Sequence, residues 1–120
     1  MRARRAGVRV WFRFYDDRAR EWTVYLARHG AVPDLLAADE RGTTWPDARE
    51  VYIDRDESED VQDETLLHEL MHVAAVDTAM DDDAEETACR AISPHLLPVL
   101  RARGLHWPKR PRDHKRNGRH

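Results

Sequence analysis

The sequence predicts a small α+β domain in which a short, mostly antiparallel sheet packs against two helices. Residues 8–15 and 50–54 are rich in Val, Ile and aromatic residues, which is typical of strands. Residues 61–80 contain neither Gly nor Pro and are long enough for a helix. The acidic run at residues 81–86 opens a second helical segment.

The elements follow one another in a simple order. Residues 8–15 alternate basic and apolar side chains and end at a pair of Asp residues that signals a turn. Residues 21–29 fit either a strand or a helix, because their apolar residues match both periods. Turn signals separate this segment from the strand at residues 50–54. Ser58 is the predicted N-cap of the first helix, since acidic residues fill the turn that follows it.

Composition predicts one globular domain over residues 1–107 and a basic tail over residues 108–120 that we expect to be extended or disordered. The chain has 120 residues, of which 36% are charged and 41% are hydrophobic, and no run approaches 18 apolar residues. We therefore expect no membrane contact. Arginines interrupt the apolar residues near the start, which argues against a secretory signal and makes the cytoplasm the expected location. The single cysteine, Cys89, excludes an internal disulfide.

The most informative motif lies in the first predicted helix and reads His68-Glu69-Leu70-Met71-His72. Residues four apart in a helix share one face, so both imidazoles can bind one ion. This HExxH pattern is typical of catalytic zinc sites, in which the Glu accepts a proton from an activated water. The sequence therefore predicts a Zn²⁺ site with His68 and His72 as ligands and Glu69 as the general base.

A catalytic zinc usually has a third protein ligand, and the second helix offers Glu85 and Glu86. If Ala88 and Ile92 mark the buried face of that helix, Glu85 lies on the same face and Glu86 points away. Asp83 and Glu86 also fit a capping box. We therefore predict Glu85 as the third metal ligand and Glu86 as part of the cap.

Three segments together resemble the gluzincin metallopeptidases: the HExxH motif, Glu85-Glu-Thr-Ala88 and Leu96-Leu-Pro98. The resemblance is greatest to ImmA/IrrE-type peptidases and extends to minigluzincins and to short HExxH proteins of phages and prophages. In the ImmA/IrrE pattern the first Glu of an E-x-E-A segment is the third ligand, which implies this role for Glu85. Thr87 departs from that pattern, and a shift by one residue would select Glu86 instead.

The resemblance spans residues 64–98 and implies a zincin-like fold with peptidase activity. It implies that a protein or peptide substrate runs in extended form along an edge strand above the motif, for which residues 51–54 are the candidate. Tyr25, Tyr52 and His95 are the candidates for stabilising the oxyanion. His95 is also an alternative third ligand, because SprT-like and WLM-type proteases use a third His.

Two classes of function remain open. The first is a zinc-dependent peptidase, and the resemblance implies a regulatory or phage protein as its substrate. The second is a zinc-binding module without hydrolysis, whose basic tail contacts nucleic acid. The tail can equally cover the acidic body of the protein, because the middle of the chain is strongly acidic. An intact Glu69 favours the peptidase, since a structural zinc site requires no base.

Overall fold

The computed structural model describes residues 6–111, which form a four-stranded mixed sheet and two helices. The elements are β1 (Val8–Tyr15), β2 (Glu21–Ala27), β3 (Gly42–Trp45), β4 (Glu50–Asp54), α1 (Glu59–Ala75) and α2 (Asp82–Ala102). A short 3-10 turn covers His29–Ala31. The predicted α+β class is confirmed. Residues 21–27, for which the sequence allowed a strand or a helix, form a strand.

The strand order in the sheet is β1-β2-β4-β3. β1 pairs with β2 and β3 pairs with β4 in antiparallel fashion, whereas β2 and β4 are parallel. Two of the three pairings are thus antiparallel, as predicted. β4 lies inside the sheet and all five of its residues are buried. The prediction that residues 51–54 form an edge strand is therefore wrong, and β3 is the edge next to β4.

Alternation along the strands divides the core between the two faces of the sheet. One face carries Val24, Val51 and Ile53, which pack with Leu66 of α1. The opposite face carries Tyr52, which packs with the loop that follows β2. Alternate residues of a strand point to opposite sides, so the period of two seen in the sequence places one set of side chains under α1.

Both helices begin at side-chain caps. Ser58 accepts a hydrogen bond from the Val61 amide at 3.3 Å, which confirms the predicted cap of α1. Asp81, not Asp83, caps α2 by accepting a hydrogen bond from the Ala84 amide at 2.8 Å. The capping box predicted from Asp83 and Glu86 is therefore wrong, because α2 begins earlier. No helix within residues 6–111 is long and apolar enough to cross a bilayer.

The chain after α2 returns to the domain. The indole of Trp107 donates to the Asp63 carbonyl at 3.2 Å, and the indole of Trp11 donates to the Pro108 carbonyl at 2.8 Å. The Arg110 guanidinium lies 4.5 Å from the centre of the Trp11 ring. The first residues of the predicted tail thus lie against β1 and α1, while the tail from residue 112 onwards lies outside the described residues.

Candidate metal centre

The HExxH motif lies in the C-terminal half of α1, where that helix passes between the sheet and α2. One helical turn separates His68 from His72, and the centres of their rings are 5.0 Å apart. Leu66 and Leu67 are buried, while His68 and His72 are part-exposed towards a cleft between β3 and α2. The prediction that one helix presents both imidazoles together is therefore confirmed.

The two histidines meet a carboxylate from the first turns of α2. The Glu86 Oε1 atom lies 3.3 Å from His68 Nε2 and 2.8 Å from His72 Nε2. The three ligand atoms all lie within 4.8 Å of one another. Ligand atoms around a tetrahedral zinc are about 3.4 Å apart, given metal–ligand bonds of about 2.0–2.2 Å. His68, His72 and Glu86 can therefore hold a metal ion.

Glu85 lies on the other side of the same imidazole. Its Oε2 atom is 2.5 Å from His72 Nδ1, whereas the Nε2 atom of that ring is the one that faces Glu86. The structure thus brings Glu86, which the sequence analysis set aside as a cap, into the group with both histidines. This geometry therefore favours Glu86, and not the predicted Glu85, as the third metal ligand.

The phase of α2 explains this difference. The buried residues of the helix are Cys89, Ser93 and Leu97, whereas Ile92 is 46% exposed. Glu86 lies three residues before Cys89 and seven before Ser93, and Glu85 lies four and eight residues before them, so both glutamates lie on the buried side of the helix. The prediction that Ile92 lies on the buried face is therefore wrong, and so is the prediction that Glu86 points away, because Glu85 and Glu86 both reach His72.

Glu69 is the third member of the motif and is only 6% exposed. The Thr44 hydroxyl of β3 donates to its Oε1 atom at 2.6 Å. Burial raises the pKa of Glu69, although the Thr44 hydrogen bond and the two nearby histidines act in the opposite direction. A carboxylate with a raised pKa is a better proton acceptor than an exposed glutamate.

The charges of the other groups depend on their neighbours. Burial disfavours the His72 cation, but the hydrogen bond to Glu85 and the Glu69 charge outweigh it and raise the pKa of His72. Burial also disfavours the Glu86 anion, but hydrogen bonds from Arg90 and His72 outweigh it and lower the pKa of Glu86. A cation bound between them would take the place of a proton on the His72 nitrogen that faces Glu86.

The site opens into a cleft of about 1150 Å³. One wall is formed by residues 39–47, which include β3, and the other by α1 and the first half of α2. A substrate much larger than a single amino acid can therefore reach Glu69 and the two histidines.

Several residues considered in the sequence analysis lie elsewhere. Tyr25 and Tyr52 stack on each other at 4.9 Å on the sheet face opposite α1, and neither lines the cleft. His95 is exposed on α2 and does not belong to the metal-ligating group. Cys89 is buried, and burial together with Glu85 raises its pKa to about 11, so the thiol is protonated at neutral pH.

Thr44 and Arg90 are the functional neighbours that the sequence analysis missed. Thr44 contacts Glu69 from a strand that the sequence did not predict. Arg90 donates to Glu86 from one turn further along α2, a spacing that is visible in the sequence as an i, i+4 pair. Comparison with protein families, with curated proteins and with solved structures gave no match to this chain.

Proposed function

We propose that this protein is a zinc-dependent metallopeptidase, with His68, His72 and Glu86 as metal ligands and Glu69 as the general base. The observation that carries the proposal is the convergence of two imidazole nitrogens and one carboxylate oxygen beside a buried second carboxylate. The HExxH spacing and the resemblance to gluzincins support the roles of His68, His72 and Glu69, whereas the choice of Glu86 over Glu85 as third ligand rests on the geometry.

The donor set fits zinc. Two imidazoles and one carboxylate are the ligands of a common class of catalytic zinc sites, and they leave one position for water or substrate. Sites that only stabilise a fold usually fill all four positions with Cys or His, and Cys89 does not belong to the described ligand group. Zinc, when bound, supplies Lewis acidity towards water and towards a carbonyl oxygen.

Glu69 moves the proton. Its Oε1 atom accepts the hydrogen bond from Thr44, so Oε2 is the oxygen available to take a proton from the attacking water. The same carboxyl group then returns that proton to the amine of the leaving peptide. Thr44 also lies 3.3 Å from the Glu69 carbonyl, so one hydroxyl holds the base against β3.

β3 is the strand along which we place the substrate. It pairs with β4 on one side, and residues 6–111 contain no further strand on its other side. An extended peptide that pairs with a free strand edge gains main-chain hydrogen bonds without depending on sequence. Such a peptide would lie in the cleft with its carbonyl groups close to the ligand group.

Cleavage of unfolded peptides tests the proposal. The zinc-loaded protein would be incubated with a mixture of denatured-protein peptides, and new termini would be identified by mass spectrometry. We expect new termini with the wild type and a loss of at least about 100-fold with Glu69→Gln, which retains the ligands. A protein that binds one zinc but yields no new termini would contradict the proposal and favour the binding module.

A further inference from the structure

The His72 imidazole lies between two carboxylates from consecutive residues of α2. Glu86 Oε1 is 2.8 Å from Nε2, and Glu85 Oε2 is 2.5 Å from Nδ1. The two ring nitrogens therefore have different partners, and only one of these partners belongs to the metal-ligating group. Because both ring nitrogens have a partner, the rotation of the imidazole about its Cβ–Cγ bond is fixed.

We propose that Glu85 is a positioning residue that orients His72 for the metal. This inference rests on the metal site of the proposed function. An imidazole that binds a metal through Nε2 carries its proton on Nδ1, and a carboxylate at Nδ1 selects that tautomer. Such a carboxylate also makes Nε2 a stronger donor and reduces the rotational freedom lost on metal binding.

Burial makes this contact more effective than a surface ion pair. The side chains of His72 and Glu85 are 18% and 19% exposed, so water competes weakly for the hydrogen bond. Within residues 6–111 the Glu85 side chain has no other hydrogen-bond or ion-pair partner. Glu86 differs, because Arg90 binds its Oε2 atom and leaves Oε1 directed at the histidines.

The division of roles follows from helix geometry. Consecutive residues are rotated by about 100° around a helix, so Glu85 and Glu86 project from α2 in different directions towards the His72 ring. They can approach it from two sides, because its ring faces the first turns of α2. Asp81 caps this end of α2 and fixes the backbone from which both glutamates project.

Zinc affinity tests this role. The zinc dissociation constant of the full chain would be measured by competition with a chromogenic chelator for the wild type, Glu85→Ala and Glu85→Gln. We expect Glu85→Ala to bind one zinc per chain about 10–100-fold more weakly than the wild type. Glu85→Gln should lie between them, because its amide oxygen still accepts a hydrogen bond from Nδ1.

Two further variants make the comparison specific. Asp82→Asn removes one negative charge from the same turn without touching either histidine, so its zinc affinity should stay within about twofold of the wild type. Glu86→Ala removes the proposed ligand and should weaken zinc binding more than Glu85→Ala does. Thermal unfolding of the metal-free proteins would show whether each variant is folded, and Glu85→Gln serves if Glu85→Ala is not.

The outcomes separate this inference from the proposed function. Equal zinc affinities for Glu85→Ala and Asp82→Asn would overturn the positioning role. Complete loss of zinc in Glu85→Ala with retention in Glu86→Ala would make Glu85 the ligand and also overturn it. A wild type that binds no zinc would instead refute the metal site, and the positioning role would fail with it. In the zinc-loaded wild type, nitrogen NMR should show the His72 proton on Nδ1.

Discussion

At the residue scale, hydrogen bonds hold the side chains of the candidate metal site in place. Thr44 holds Glu69, Glu85 contacts His72, and Arg90 holds the oxygen of Glu86 that does not face the histidines. A buried polar side chain without a partner destabilises the folded protein, and residues 6–111 contain no buried side-chain nitrogen or oxygen atom that lacks one. These hydrogen bonds hold the side chains of the candidate site in one arrangement.

Asp16 offers a test of such hydrogen bonding away from the site. Its Oδ1 atom accepts from the Arg20 amide, and its Oδ2 atom accepts from the Arg20 guanidinium and the Trp22 indole, each at 2.9 Å. Burial alone would raise the pKa of Asp16, but these hydrogen bonds outweigh it and hold the pKa well below its ordinary value.

The pH dependence of stability follows from this lowered pKa. The unfolded chain protonates Asp16 near pH 3.9, at about the ordinary value, whereas the folded protein resists protonation. The stabilisation from Asp16 is therefore complete above that pH and is lost as the pH falls below it. Between pH 5 and about pH 3, urea unfolding should show a smaller loss of stability for Asp16→Asn than for the wild type.

The neighbouring carboxylate provides the control. Asp17 is exposed, and residues 6–111 give its side chain no hydrogen bond. Asp17→Asn should therefore keep the pH profile of the wild type. Identical profiles for the wild type and Asp16→Asn would contradict the role given to these hydrogen bonds.

At the scale of elements, the approach of β3 to α1 forms the site. A Cβ atom at Gly42 would lie 2.6 Å from Thr65 Cγ2 and 3.2 Å from Glu69 Cγ. Only a residue without a side chain allows the strand to come this close to the helix. The hydrogen bond from Thr44 to Glu69 depends on the same close approach.

Gly42→Ala should therefore destabilise the protein by about 1–3 kcal/mol, because the added methyl group forces β3 and α1 apart. Gly30→Ala is the matched control, since a Cβ atom at Gly30 would have no neighbour within 4 Å. Its free energy of unfolding should stay within about 0.5 kcal/mol of the wild type. Equal effects of the two substitutions in urea unfolding would contradict the proposed packing.

The same strand shows what local sequence can predict. β1, β4 and α1 were predicted because each carries its own periodic pattern or cap. β3 has only four residues, Gly-Thr-Thr-Trp, and it is a strand because β4 pairs with it. A pattern of that length carries no periodic signal, so the edge strand and Thr44 were not found.

The residues of the candidate site also differ in how far local sequence could predict them. His68, Glu69 and His72 lie in one helix, so their spacing alone determines their arrangement. The position of the third ligand depends on how α2 packs against α1. The sequence predicted the wrong buried face for α2, because the apolar Ile92 is exposed and the small polar Ser93 is buried. The most hydrophobic residues of a helix do not mark its buried face when small residues such as Ser and Cys occupy the buried positions.

At the scale of the whole molecule, the segment that follows α2 packs against both the first strand and the first helix. Trp11 of β1 contacts both Pro108 and Arg110, and Arg110 also contacts Gln62 and Asp63 of α1. A stacked guanidinium that also donates to a carboxylate is more stabilising than an exposed ion pair. The chain beyond the predicted domain boundary at residue 107 thus contributes to the packing of the domain.

Arg110→Ala should lower the free energy of unfolding by about 1–3 kcal/mol, because the stacking and the hydrogen bonds to α1 are lost. Lys109→Ala is the control, since Lys109 is exposed and makes no side-chain contact with a polar group within residues 6–111. Its effect on urea unfolding should be below about 0.5 kcal/mol. A similar effect of both substitutions would contradict the stabilising role of Arg110.

Metal content is the decisive measurement for the proposed function. Elemental analysis of the wild type, His68→Ala and Glu69→Gln after identical dialysis against zinc-containing buffer would give the zinc bound per chain. We expect one zinc in the wild type and in Glu69→Gln, and a clear loss in His68→Ala, because the proposed role of Glu69 is that of a base and not of a ligand. A wild type without metal, or equal zinc in all three proteins, would contradict the metal centre formed by His68, His72 and Glu86.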